Sequence, residues 1–303
     1  MSEIFLPSDA IKVKFAKCAY AESRCGTNYK LKIQTTCCNL QKWAKIARWG
    51  NLVSPINITP NQIHGFINWR ITEGVQNRTI QNEMSIIRRA LRAVNRDDFA
   101  DVVCHNKKIG VPAGSRIGVG KIIEEIILKN AIDNANPDTL ILIKLQQLIG
   151  LRIKEAVCAG DSLKDWQRSL GLDQQSITVR DGTKGGRVRS VFIQPNRTEE
   201  LKQVIQEALI IIKKQGRLVV SKNLKSALTR HSLALAKLEI KHENSSHSIR
   251  RLFAFNQYNY YLQIGYDKKM ALIRTSNDLG HGNSRGRWVF NNYIRATLEA
   301  QNG

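Results

Sequence analysis

The chain has 303 residues, long for one compact domain and ample for two, and 42% of them are hydrophobic, enough to build ordinary cores. Forty-seven Lys and Arg against 25 Asp and Glu leave a net charge of +22, which points to a polyanionic partner, nucleic acid first, because each neutralised phosphate releases counterions. No apolar run nears the ~20 residues that span a bilayer, and MSEIFLPSDA has no basic start followed by an apolar block, so no membrane partner and no leader is expected, and a cytoplasmic, nucleoid-associated location is.

Residues 1–26 show little pattern and read as an N-terminal arm. A small all-helical domain follows over 27–103. TTCCNLQKWAKIARWG is amphipathic and runs to Gly50. Thr59 is an N-cap ahead of Pro60, and that helix stops at Gly74. In NRTIQNEMSIIRRALRAVN, Ile80, Met84, Ile87, Leu91 and Val94 recur at helical spacing. Its other face carries Arg88, Arg89, Arg92 and Arg96, a candidate DNA-facing surface. Residues 104–120, CHNKKIGVPAGSRIGVG, are rich in glycine and basic residues and read as a linker. Lys107, Lys108 and Arg116 are its candidate contacts to a DNA backbone.

A second domain is expected over 121–303. Helices resume at Lys121 to Lys129 and Asp138 to Ile149. SITVRD and RVRSVFI then flank GTKGG, which predicts a β-hairpin. Helical segments continue to the C-terminus, so the fold class is mainly α with a small β-hairpin (α+β). The six cysteines form no CxxC pair and have no histidine partners at ligand spacing, so no metal site is expected.

Four pieces of the second half carry chemistry: Gly150-Leu151-Arg152-Ile153-Lys154-Glu155, Lys184 in the hairpin turn, His247-Ser248-Ile249-Arg250, and Leu279-Gly280-His281 with Tyr293 twelve positions on. Singly, each has an ordinary explanation as a surface or capping residue. In this order they resemble the signature of the tyrosine recombinase (phage integrase) family, which spreads Arg, Lys, His-x-x-Arg, a second His or Trp, and Tyr through one catalytic domain. The resemblance covers roughly residues 117–303, with Arg152, Lys184, His247, Arg250, His281 and Tyr293 as the matching positions and Glu155 as a supporting residue. The helical first domain resembles that family's core-binding domain, which implies a two-domain clamp around DNA.

The resemblance implies site-specific recombination by transesterification at a DNA phosphodiester. Tyr293 attacks phosphorus, forms a 3′-phosphotyrosyl link and releases a 5′-hydroxyl, and another 5′-hydroxyl reverses the step. The bond energy stays in the intermediate, so neither ATP nor any other cofactor is called for. Arg152 and Arg250 would clamp the nonbridging oxygens, His247 would accept the phenolic proton, Lys184 would protonate the leaving oxygen, and His281 would hydrogen-bond the phosphate. Partners implied are double-stranded DNA, further copies in a homo-tetramer on paired sites, and a DNA-bending helper protein; the tail after Tyr293 could pack on a neighbouring copy. The separate helical domain and the LGH context favour a recombinase, most simply that of a mobile element, over a type IB topoisomerase-like enzyme. Six intact positions favour it over a non-cutting recombinase-derived DNA-binding protein or a basic helical regulator.

The charge predicts steeply salt-dependent binding to duplex DNA. In fluorescence anisotropy, log affinity should fall with log salt at about −0.9 per phosphate contact; a flat response would mean that the charge serves another purpose.

Overall fold

The computed structural model describes residues 10–21, 27–49, 53–114, 120–172 and 174–301. The chain divides into two compact units, Met1–Arg116 and Ile117–Gly303. No described helix is long and apolar enough to cross a membrane.

Unit 1 is helical: α1 (Ala10–Ala21), α2 (Thr27–Ile46), α3 (Pro60–Thr72) and α4 (Asn77–Arg92). The α3 start is a capping box. The Gln62 N–H donates to Thr59 Oγ1 at 3.3 Å, and the Thr59 N–H donates to Gln62 Oε1 at 2.9 Å. The α4 stripe of Ile80, Met84, Ile87 and Leu91 is buried, as its spacing requires. Within this core Arg70 forks onto the carboxylate of Glu83 with two bonds of 2.9 Å, and Asn39 donates to the same carboxylate at 2.8 Å.

Two boundaries differ from the sequence reading. The expected arm contains α1, whose Ile11, Phe15, Ala16 and Ala19 are buried against α2 and α4. Lysines interleave these positions, so the stripe is narrow and easily passed over. The expected linker begins as part of unit 1: Cys104, Ile109 and Val111 are buried in its core, while Lys107 and Lys108 are exposed between them. Arg116 and Cys25 lie outside the described residues.

Unit 2 starts with an extended segment where a helix was expected. The Ile123 N–H donates to the Ser248 carbonyl at 3.3 Å, and the Glu124 N–H donates to Asn244 Oδ1 at 3.1 Å. Helices follow as α5 (Glu125–Asn134), α6 (Pro137–Ile149), α7 (Ile153–Val157) and α8 (Leu163–Gly171). The expected hairpin is present as β1 (Ser176–Val179) and β2 (Arg189–Phe192), antiparallel, with Ile177 opposite Val191. Next come α9 (Thr198–Gln215), α10 (Leu224–Lys237), α11 (Ser246–Gln263), α12 (Lys268–Asp278), α13 (Gly286–Val289) and α14 (Arg295–Gln301). The core lies among α6, α8, α9 and α11, and Trp166 ties α8 to β1 by donating to the Thr178 carbonyl at 2.7 Å. The sheet has one face on this core: Ile177, Val179 and Val191 are buried while Thr178 and Ser190 face out.

If α1 belongs to the unit 1 core, Phe15→Ala should lower stability in urea denaturation by about 3 kcal/mol or more, whereas the exposed Lys14→Ala should stay within about 0.5 kcal/mol of wild type. Equal stability of the two variants would return α1 to the status of an arm.

Candidate active site

The site is built where α6 ends. Gly150 caps α6 with φ 62°, and a Cβ there would meet the Phe253 ring at 2.3 Å, so the turn needs glycine on both counts. The turn sends the chain through Arg152 into α7. Glu155, one turn later, is buried, and its Oε2 accepts the Arg152 N–H at 2.8 Å while its Oε1 accepts from Arg152 Nη1 at 2.6 Å. Arg189, the first residue of β2, forks onto the same carboxylate with two bonds of 2.8 Å. Arg250 Nη1 stands 3.8 Å away. Burial alone would raise the Glu155 carboxyl; the hydrogen bonds and charge of Arg189, with Arg250 and the Arg152 N–H, outweigh it and hold the pKa at about 2.

A cleft of about 700 Å³ opens above this cluster, lined by Arg152, Lys184, Arg189, His247, His281 and Tyr293 together with Arg187, Arg285 and Trp288. Among the described residues, no acidic side chain lines it. Five of the six expected catalytic residues therefore share one cleft. The sixth, Arg250, lies beneath it, 1% exposed. Its Nη2 donates to the Leu279 carbonyl at 2.6 Å and its Nη1 to the Gly150 carbonyl, leaving its buried Nε without a hydrogen-bond partner. Burial is the main cause that brings Arg250 down to about 10, so it remains cationic at neutral pH. The expected pair of open guanidinium forks is thus one fork at the cleft, Arg152, and one charge below it.

Tyr293 is 3% exposed and sits in a π-turn, Phe290–Ile294, that joins α13 to α14. Its hydroxyl is 3.5 Å from His281 Nε2, and its ring stands edge-on to His247 at 5.2 Å and to Trp288 at 5.7 Å. The phenol thus has a His281 nitrogen at hydrogen-bonding distance, while the sequence reading gave the proton to His247, whose ring also stands beside it. Both imidazoles are neutral at pH 7. His247, on the first turn of α11, is brought to about 4 by the surrounding protein and then by Arg251, Arg250 and Arg152. His281 is brought to about 3 by burial and then by Arg250, Arg152, Arg189 and Arg285. Lys184 is exposed at the hairpin tip.

Sequence reasoning passed over Arg189, Trp288 and Arg251, whose Nε reaches the Asn292 carbonyl at 3.4 Å beside the tyrosine. It also passed over Asp278, buried in front of the LGH turn. Asp278 accepts from the Phe192 N–H at 3.0 Å, from Gln257 at 2.9 Å and from the Tyr261 hydroxyl at 2.8 Å. Burial lifts its pKa to about 6 despite these donors.

Arg88, Arg89 and Arg92 lie on α4 and Arg96 lies just beyond it, and each also makes contacts within unit 1. Arg88 donates to the Cys104 carbonyl and Asn106, Arg92 pairs with Asp101, and Arg96 donates to the Pro55 and Ile58 carbonyls while covering the Phe99 ring at 3.9 Å. Arg89 lies over the Tyr29 ring at 4.9 Å. All four are half-buried and hold unit 1 together; helical spacing gave them a common face without showing that loops fold over it.

Two family models match the chain, one described as integrase over residues 110–256 and one as phage integrase, N-terminal, over residues 39–100. The first takes in Arg152, Lys184, His247 and Arg250 and stops short of His281 and Tyr293. No curated protein sequence matches. Among solved structures, the Tn1549 transposon integrase in complex with transposon right end DNA is 16% identical with a TM-score of 0.62, covering 97% of each chain. The lambda integrase dimer bound to a COC′ core site is 16% identical with a TM-score of 0.54, covering 94% of each chain. The XerH recombinase bound to its difH substrate is 17% identical with a TM-score of 0.55, covering 96% of this chain and 84% of that one. These likenesses show the fold.

The titrating groups set opposing pH dependences. His231, His247 and His281 are depressed in the fold, burial being the main cause for each, the first two to about 4 and the third to about 3. Their contribution is present above the ordinary histidine value and is lost as pH falls toward 4. Asp278 is raised, so its contribution is present below the ordinary carboxylate value and is lost as pH rises through about 6. Three histidines against one aspartate predict a melting temperature that falls from about pH 7 to about pH 5. Asp278→Asn should steepen that fall and His231→Gln should flatten it; slopes that moved the other way would contradict the assignment.

Proposed function

We propose that this chain, which belongs to the tyrosine recombinase (phage integrase) family, is a site-specific DNA integrase that cuts and rejoins strands through Tyr293. The observation that carries the assignment of residues is the position of the Tyr293 hydroxyl, 3.5 Å from a neutral imidazole in a cleft lined by cations and, among the described residues, by no acid.

A phenol is mostly protonated at neutral pH, with a pKa near ~10, so the attack needs a proton acceptor. A neutral His281 at this distance can take the proton, and His247 stands edge-on to the same ring at 5.2 Å. The phenolic oxygen then bonds to phosphorus, and the bond from phosphorus to the 5′-oxygen breaks. Lys184, reaching over the cleft from the hairpin tip, gives the leaving oxygen its proton. Arg152 takes the nonbridging oxygens, Arg250 adds its charge from beneath, and Glu155 keeps both in place. A 5′-hydroxyl from a second strand reverses these steps. The exposed Lys107 and Lys108 are proposed contacts to the DNA backbone.

Exchange between two duplexes requires four cut strands, and each chain offers one tyrosine, so the proposed active unit is a homo-tetramer on paired sites. A DNA-bending helper would lower the deformation cost of pairing them. The setting proposed is a mobile genetic element, which the fold shared with a transposon integrase supports, and the place of action is the nucleoid within the cytoplasm.

The test is a suicide substrate, nicked so that cleavage traps the intermediate, with wild type and Tyr293→Phe compared on a denaturing gel. Wild type should give a covalent protein–DNA band and Tyr293→Phe none, with DNA binding retained. A band that persisted in the variant would remove Tyr293 from its role; no band from either, on DNA that both bind, would favour a non-cutting DNA-binding protein.

A further inference from the structure

We propose that Arg189 is a positioning residue that fixes the Lys184 hairpin to the arginine clamp and to the His281 loop, an inference that rests on the recombinase reading above. Lys184 is exposed at the hairpin tip, so its reach is set by where the base of its strand stands. Arg189 is that base, the first residue of β2 and five positions after Lys184. It is 6% exposed, and one side chain touches two other segments of the site. Both Nη atoms fork onto Glu155, which also holds Arg152. Its Nε donates to the Asp278 carbonyl at 2.8 Å. Its stem lies on Gly280, φ 71°, where a Cβ would come within 2.8 Å of Arg189 Cδ.

Charge balance does not explain this placement. Glu155 already faces Arg152 and Arg250, so a third guanidinium makes the cluster more positive. What Arg189 adds is a rigid planar link with donors in three directions, which the point charge of a lysine cannot reproduce. The acid on the hairpin, the clamp beside Glu155 and the loop that ends in His281 are thereby held in one register.

The experiment compares Arg189→Lys with wild type in single-turnover formation of the Tyr293 adduct. One substrate is the ordinary suicide duplex, and the other carries sulfur in place of the 5′-bridging oxygen at the cut site. A thiolate leaves without being protonated, so the sulfur substrate does not need a placed acid. Arg189→Lys should lose at least ~10-fold on oxygen, a part of the ~10²–10⁴-fold that a positioned acid supplies, and recover most of it on sulfur, with duplex binding unchanged. Equal loss on both substrates, or no loss on oxygen, would overturn the proposal, since a merely structural defect does not distinguish the leaving groups. Should Arg189→Lys not fold, Arg189→Gln, which keeps amide donors and drops a charge from a cluster rich in it, carries the same expectation and the same refutation. If wild type itself formed no adduct on either substrate, the recombinase reading would fail first and take this proposal with it.

Discussion

Three guanidinium groups, those of Arg152, Arg189 and Arg250, converge on the carboxylate of Glu155, which is itself fully enclosed. Like charges this close repel by roughly 4 kcal/mol per pair at 4 Å even with an effective dielectric of ~20. A single carboxylate gathers the three but does not neutralise them. The fold therefore holds an excess of positive charge at the floor of one cleft, set in place before any substrate arrives. A phosphodiester brings the negative charge that this arrangement lacks, and more of it gathers on the nonbridging oxygens as the reaction proceeds. Such preorganised charge is what stabilises a phosphoryl transition state without reorganisation at the moment of reaction.

The same field reinforces what burial does to the histidines. Burial first, and then the nearby arginines, keep His247 and His281 largely unprotonated above about pH 4. A protonated imidazole would add charge but could not accept the phenolic proton. The arginines thus do two things at once: they gather positive charge in the cleft, and they add to the burial that keeps both imidazoles neutral. A bound phosphodiester shrinks the field that depresses these imidazoles, so the capacity to hold a proton rises when substrate is present.

Much of this was legible in the sequence, and the parts that were not share a cause. The helices of unit 1, the hairpin around Lys184 and the ordered set from Arg152 to Tyr293 are local signals: a cap before Pro60, alternation on both sides of a glycine turn, short motifs with fixed internal spacing. The fork from Arg189 to Glu155 spans 34 positions and the Asp278 bond to the Phe192 N–H spans 86, and no local pattern encodes either. The arginines of α4, with Arg96 just beyond it, make contacts of the same non-local kind. Their spacing gave a basic face, but the segments that fold over it, Cys104–Asn106 and Pro55–Ile58, lie outside the helix. Net charge points to a partner class but not to a surface, because arginines that also cap carbonyls count fully in the sum.

The delivery of the tyrosine rests on a departure from regular structure. Between His281 and Tyr293 the chain makes a short 3-10 turn at Asn283–Arg285, one turn of helix in α13, and then the π-turn Phe290–Ile294. An α-helix advances about 100° per residue, so the one extra residue that a π-turn admits re-aims every side chain after it by about that angle. Tyr293 lies within this turn, so its direction is set by the wide turn and not by a regular α-helix. Wide turns of this kind cost backbone hydrogen-bond geometry and recur at functional sites for that reason. Asn292 anchors the turn from within, its side chain donating to the Trp288 carbonyl at 2.8 Å, and its own carbonyl faces Arg251 on α11. The helix that carries His247 and Arg250 therefore also holds the segment that carries Tyr293, which is how residues 43 positions apart in the chain, Arg250 and Tyr293, come to lie at one cleft.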